Sequence, residues 1–271
     1  MSISTFQLWN RSFGWGVFSV ALLTYMLTVE PTASFWDAGE YIATAAKLQV
    51  GHPPGAPLFQ MIGAFFALYA TSSENIALMV NHMSVFSSAF TILFLFWTLT
   101  LLMKKLPAFE TLDNTAERLT FFGSAAVGAL AFCFSDSFWF NAVEAEVYAM
   151  ATFILSLLFW LGLRWEQDMN TPRGDRWLLL ISFVIGLSFG VHFMGLLTIP
   201  AIGMIYYFKN TPKVTFKGFM IANGVSVAVL LFIFKLLLPT TLAFFGNAEV
   251  FFVNKMGLPF LSCPPLAGLY R

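Results

Sequence analysis

The chain has 271 residues, of which 58% are hydrophobic and 10% charged, and its formal net charge is zero. A soluble domain carries about a quarter charged residues, and a chain so poor in charge would expose apolar patches to water. Zero net charge leaves no electrostatic footprint for nucleic acid. The two cysteines, Cys133 and Cys263, make neither a disulfide framework nor a zinc site.

The expected fold is therefore all-α, a polytopic membrane helical bundle. A crossing helix needs about 20 mainly apolar residues. The first candidate runs from Phe13 to Val29. Only Arg11 precedes it as a basic residue and no A-x-A site follows, so it reads as a retained span, not a cleaved signal. Segment 30–57 carries Glu30, Asp37, Glu40, Lys47 and His52 and ends in Gly51-His52-Pro53-Pro54-Gly55-Ala56-Pro57, where the prolines break any helix. Leu58 to Ala70 is apolar but too short to cross, so it reads as an interfacial or re-entrant helix. Ser72-Ser73-Glu74 caps a long helix that reaches Met103.

Further spans are expected at 119–134, 147–163, 177–191, 193–208 and 216–238, with loops at 104–118, 135–146, 164–176 and 209–215. Gly190-Val191-His192 breaks 177–208 into two short helices. Basic residues test the topology, because cytoplasmic loops collect Lys and Arg. With the N-terminus inside, the inner side holds Arg11, Lys104, Lys105, Arg118, Arg164, Arg173, Arg176, Lys209, Lys213 and Lys217. The outer side holds Lys47, Lys235, Lys255 and Arg271. Counting 58–70 as a crossing would move Lys104 and Lys105 outside. The bias favours seven spans with a cytoplasmic N-terminus and the C-terminus outside; the expected location is an inner (cytoplasmic) membrane.

On that topology the outer side collects acids. Asp37 and Glu40 lie in the first loop; Asp136, Glu144 and Glu146 lie in the second, which has no basic residue. If 37–49 is helical, Asp37 and Glu40 share one face as i, i+3 neighbours. Phe35-Trp36 sets them at the membrane–water boundary, where partial desolvation makes a carboxylate a better base. The blander reading is a solvated face with helix N-terminal charge, and Glu74 and Glu249 are left there. His192 sits between apolar segments, where an ionisable residue is often functional. It is read either as a satisfied polar contact or as a ligand for a lipid phosphate, with Gly186, Gly190 and Gly195 allowing close approach. His52 is a turn residue or a substrate contact, and His82 is helix packing.

The string Phe35-Trp36-Asp37-Ala38-Gly39-Glu40-Tyr41-Ile42, then Lys47-Leu48-Gln49-Val50-Gly51-His52-Pro53-Pro54-Gly55-Ala56-Pro57, resembles a bacterial protein O-mannosyltransferase-like family. That family (glycosyltransferase family 117-like) is similar to eukaryotic transmembrane protein O-mannosyltransferases and is grouped with the GT-C glycosyltransferases. Asn141-Ala142-Val143-Glu144-Ala145-Glu146-Val147-Tyr148 and Gly190-Val191-His192 fit the same pattern. The resemblance implies a seven-span GT-C-like module over 1–260, acting on the outer face as an inverting glycosyltransferase. Its donor would be a polyprenyl-phosphate sugar, and its acceptor a Ser/Thr hydroxyl of a secreted or membrane protein. Carried over, Asp37 is the general base, and Glu40 supports the site or binds the acceptor. Glu144 or Glu146 supplies a second-loop acid, and His192 faces the donor phosphate. The outer carboxylates could hold a divalent cation, but the resemblance to the mannosyltransferase branch argues against a required metal and implies no cofactor. Residues 261–271 do not read like the family, which is usually longer, so a truncated and inactive fragment is one alternative. A transporter or lipid-binding protein is the other, although no repeated halves are evident.

Overall fold

The computed structural model describes residues 3–53 and 55–259. The atypical tail at 261–271, with Cys263, lies outside them. Among the described residues every regular element is helical. In chain order the helices are α1 (Ile3–Leu27), α2 (Ala38–Ala46), α3 (Pro57–Ala67), α4 (Ile76–Met103), α5 (Thr115–Cys133), α6 (Asp136–Ala142), α7 (Val147–Asp168), α8 (Gly174–Ser188), α9 (Thr198–Asn210), α10 (Phe216–Phe232) and α11 (Leu238–Asn254). They fall into two units, one up to Thr198 and one from Ile199.

In the first unit α4 is central, packed by α1, α5 and α7 and by the short α2 and α3. Its buried face is rich in small hydroxyl residues, among them Ser84, Ser87, Ser88 and Thr91, which let apolar helices approach closely. Ser87 and Thr91 donate to carbonyls one turn back in their own helix, at 2.8 and 3.0 Å, whereas the buried Ser84 and Ser88 hydroxyls have no hydrogen-bond partner among the described residues. The core is aromatic, with Tyr25, Phe96, Phe121 and Phe122 fully buried. Basic residues gather at one end of this unit. There Lys105 pairs with Glu166, the Trp177 indole donates to Asp168 at 2.9 Å, and a capping box of Asn114 and Glu117 starts α5. The acidic loops lie at the other end.

Among the described residues, three helical runs are long and apolar enough to cross a membrane: Ser73–Met103, Val147–Asp168 and Phe216–Asn254. The pair α5 and α6 meets the same measure together but bends by 70° between them. α1 is 25 residues long, yet Arg11 and its polar neighbours dilute its hydropathy. The segment at 58–70 is short, as expected: α3 has 11 residues. α8 and α9, at 15 and 13 residues, are the two short helices expected around the 190–192 break.

Three expectations need correction. The first helix begins at Ile3, not Phe13. The loop at 135–146 contains α6, which opens on Asp136 with Ser135 at its cap position. The helix expected to stop at 238 runs on to Asn254. A π turn at Ile233–Leu237 precedes Pro239; its wider winding absorbs the missing proline N–H without ending the helix. On that extension Glu249, expected on a solvated face, is buried.

The break after α8 anchors α3. The first N–H groups of any helix lack intrahelical partners. In α3, Pro57 has none to offer, and Leu58 and Phe59 donate to the Gly190 carbonyl at 2.8 and 3.1 Å. A Cβ on Gly190 would lie 2.7 Å from the Leu58 Cβ, whereas Gly186 faces open space. The glycines read as room for a ligand therefore divide: Gly190 is packed against α3 and Gly195 against Ser188. Gly190→Ala is expected to destabilise the protein by about 1–3 kcal/mol through overpacking. Thermal unfolding in detergent checks this, with Gly186→Ala expected to leave the midpoint unchanged.

Candidate catalytic cleft

Several polar links bring the two acidic loops together. Glu30 donates its backbone N–H to the Val143 carbonyl at 3.0 Å. The Trp139 indole donates to Thr28 at 3.0 Å. From α4, the Asn81 amide donates to the Glu30 and Thr32 carbonyls at 2.6 and 3.0 Å. Ser34 of the first loop donates to the Glu144 carboxylate of the second. A cleft of about 280 Å³ results, lined by Trp36, Asp37, Phe140, Asn141, Glu144, Glu146 and Tyr148.

Asp37 sits at the cap position of α2, with Glu40 in the first turn. The i, i+3 spacing does bring them to one place, and His52 joins them. His52 donates its backbone N–H to Glu40 Oε1 at 2.6 Å, and its Nδ1 lies 3.0 Å from Oε2. Its Nε2 is 3.9 Å from Asp37 Oδ2. The loop reaches back this far because α2 ends in a Schellman turn. Gln49 bonds the Thr44 carbonyl and Leu48 the Ala45 carbonyl, with Leu48 at φ 49°. Gly51 then passes tightly beside Gln60 and Glu40, where a Cβ would sit 2.8 and 3.3 Å from their side-chain atoms.

His52 holds the Glu40 carboxyl below the usual range, first through its backbone N–H and then through its ring. Glu40 in turn raises the His52 imidazole. One donor atom from each of Asp37, Glu40 and His52 lies within 4.8 Å of the others. That spacing is what a cation would use, and it is equally what an exposed His–carboxylate ion pair adopts.

Glu144 and Glu146 are of a different kind, at 2% and 5% exposed. Burial raises both carboxyls. For Glu146 it acts with the Glu144 and Asp37 charges, against the backbone N–H groups of Asp37 and Val147, and the result is about 7. Its Oε1 has no hydrogen-bond partner. Tyr41, packed 5.8 Å from the His52 ring, is pushed up to about 12 by burial and then by the surrounding carboxylates, Glu146 first.

His192 does not line the cleft. Its Nδ1 accepts from the Met194 N–H at 3.2 Å, and its ring lies 5.5 Å from that of Tyr148, a cleft residue. Thus Asp37, Glu144 and Glu146 meet in one cleft, Glu40 and His52 form its outer flank, and His192 stands behind Tyr148. His82, read as packing, bonds the Leu78 carbonyl of its own helix at 2.6 Å. Asn141 and Tyr148 were not singled out by the sequence, although both lie inside the quoted strings, and Trp36 was read only as an interfacial aromatic. Only their convergence sets them apart.

Comparison with known proteins gives a match of residues 37–215 to the family "Protein O-mannosyl-transferase TMEM260 N-terminal domain". Protein O-mannosyl-transferase tmem260 of Dictyostelium discoideum is 25% identical over 68% of this chain and 22% of its own length. Protein O-mannosyl-transferase TMEM260 of Mus musculus is 29% identical over 64% of this chain and 22% of its own. The chain thus aligns with about a fifth of each relative. No solved structure matches it significantly.

Two titrations test the electrostatics. Glu146 keeps its proton up to about pH 7 in the folded state and loses it near the ordinary 4.5 when unfolded. Folding stability should therefore fall as pH rises from about 4.5 to 7 and level off above that; Glu146→Gln should flatten this slope in thermal scans. The His52 imidazole should titrate above its ordinary 6.5 by NMR, and Glu40→Gln should bring it down.

Proposed function

Because this chain belongs to the family of TMEM260-type protein O-mannosyl-transferase N-terminal domains, we propose that it carries the catalytic end of a membrane glycosyltransferase. The enzyme transfers a hexose, mannose by the relatives' names, from a polyprenyl-phosphate sugar to a protein Ser/Thr hydroxyl. The observation that supports this most is the meeting of Asp37 with Glu144 and Glu146 in one cleft at the acidic end of the bundle.

The acceptor oxygen attacks the anomeric carbon from the face opposite the phosphate. A new C–O bond forms as the bond to the phosphate oxygen breaks, and its electron pair leaves on the lipid phosphate. The acceptor proton passes to Asp37, whose side chain is 58% exposed and so reachable. The product is inverted at that carbon. Glu40 and His52 hold the loop behind Asp37. The buried Glu144 and Glu146 bind hydroxyls of the substrates, and His52 and His192 are the nearby groups able to meet the leaving phosphate.

An apolar groove supports the lipid character of the donor. About 330 Å³ opens between α3, α4, α7 and α8, lined by residues including Leu58, Phe86, Phe153 and Leu187. It begins beside the Gly190–Leu58 junction, and its α7 wall starts at Met150, two residues after the cleft residue Tyr148, so a lipid chain in it would lie near the cleft. We place the cleft on the outer face of a seven-span module, N-terminus inside, as the basic-residue count favours.

Asp37→Asn should lower sugar transfer in membranes by about 10²–10⁴-fold with insertion unchanged. Full retained activity would remove Asp37 as the base. Mass spectrometry of surface proteins from cells with and without the gene should show hexose missing from Ser/Thr peptides in its absence.

A further inference from the structure

Trp36 stands out on two counts. Its backbone is left-handed, with φ 58°, a conformation that bulky residues rarely hold. Leu48 shares that sign but closes a helix, where the left-handed residue is a usual cap. Trp36 precedes a helix and has no such excuse. Gly or Asn would sit there without strain. The ring is also 86% exposed and lines the cleft with Asp37.

The turn at Trp36 has a geometric result. It brings the next residue's backbone N–H near the Glu146 carboxyl and leaves the indole on the rim of the cleft. A pyranose presents one face of C–H groups, weakly positive, and a rim of hydroxyls. An indole face is negative and apolar, while buried carboxylates and Asn141 accept and donate hydrogen bonds at the cleft wall. At about 280 Å³ the cleft is at the small end of ligand sites, suited to one sugar ring.

We propose that Trp36 is the platform on which the transferred hexose stacks, holding its anomeric carbon beside Asp37. This rests on the glycosyl-transfer reading. Being next to the base, the platform sets sugar position and base position with one backbone turn. Phe35 is a natural control: it is 80% exposed on the same loop but does not line the cleft.

The experiment measures hexose transfer from a lipid-phosphate hexose in membranes, varying the donor. Trp36→Phe and Trp36→Tyr should stay within several-fold of the parent. Trp36→Leu and Trp36→Gly should both lose ~10- to 100-fold in kcat/KM for donor, and Phe35→Ala should lose nothing comparable. Leu keeps an apolar membrane anchor and Gly removes the backbone strain, so activity in either one would overturn the platform. Saturation-transfer NMR with a soluble hexose phosphate gives a readout independent of turnover. Contacts to one C–H face of the sugar should appear with the parent and vanish with Trp36→Leu. Transfer that is indifferent to Trp36 refutes the platform alone. Trp36-dependent binding without any transfer refutes the reaction and leaves the platform standing.

Discussion

The lashing of the first acidic loop to the second is the constraint on which the site depends. Glu30 to Val143, Ser34 to Glu144, Trp139 to Thr28 and Asn81 to two carbonyls of the first loop together fix where α2 begins. The links from Ser34 and Asn81 are part-buried, and leaving a buried polar group unpaired costs about 1–3 kcal/mol. Because α2 is placed from outside, its cap residue Asp37 need not make a cap bond of its own. It makes none, so its carboxylate is left for the cleft.

The flank of the cleft follows from the same economy. α3 begins with a proline and two N–H groups that need an acceptor, and the break after α8 supplies one in Gly190. This join carries the groove-lining Leu58 on one side and leads within two residues to His192 on the other. The Pro-rich loop between α2 and α3 is thereby tied at both ends, which is why His52 can reach back to Glu40 and Asp37. A loop free at either end would not hold a histidine there at an exposed site, since exposed ion pairs contribute little by themselves.

How much of this was legible depends on the range of the interaction. Low charge, long apolar runs and the Pro53–Pro57 break read correctly because they are local. So did the Asp37–Glu40 pairing, a matter of helical spacing, and the short length of α3. The continuation to Asn254 was not expected; a proline such as Pro239 ordinarily ends a helix, and only the π turn before it shows otherwise. The burial of Glu146 was also out of reach. Its environment is the backbone of Asp37, from a distant part of the chain, together with the Glu144 charge. A sequence shows two glutamates in an acidic loop; it does not show which one loses its water.

The cleft therefore divides its acids by solvent. Asp37 is open and adjacent to a histidine, whereas Glu146 is enclosed, faces like charges and holds a proton near neutrality. An open carboxylate can meet an incoming hydroxyl; an enclosed protonated one can donate to an oxygen without adding negative charge beside a phosphate. In the proposed reaction, three fully ionised carboxylates around a departing phosphate would oppose its departure, and one neutral carboxyl lowers that opposition. The strain at Trp36, of order 1–3 kcal/mol for a bulky left-handed residue, is borne by the same links that bury Glu146. The two features thus share one cause: the first loop is held against the second firmly enough to keep both a strained turn and a dry carboxyl.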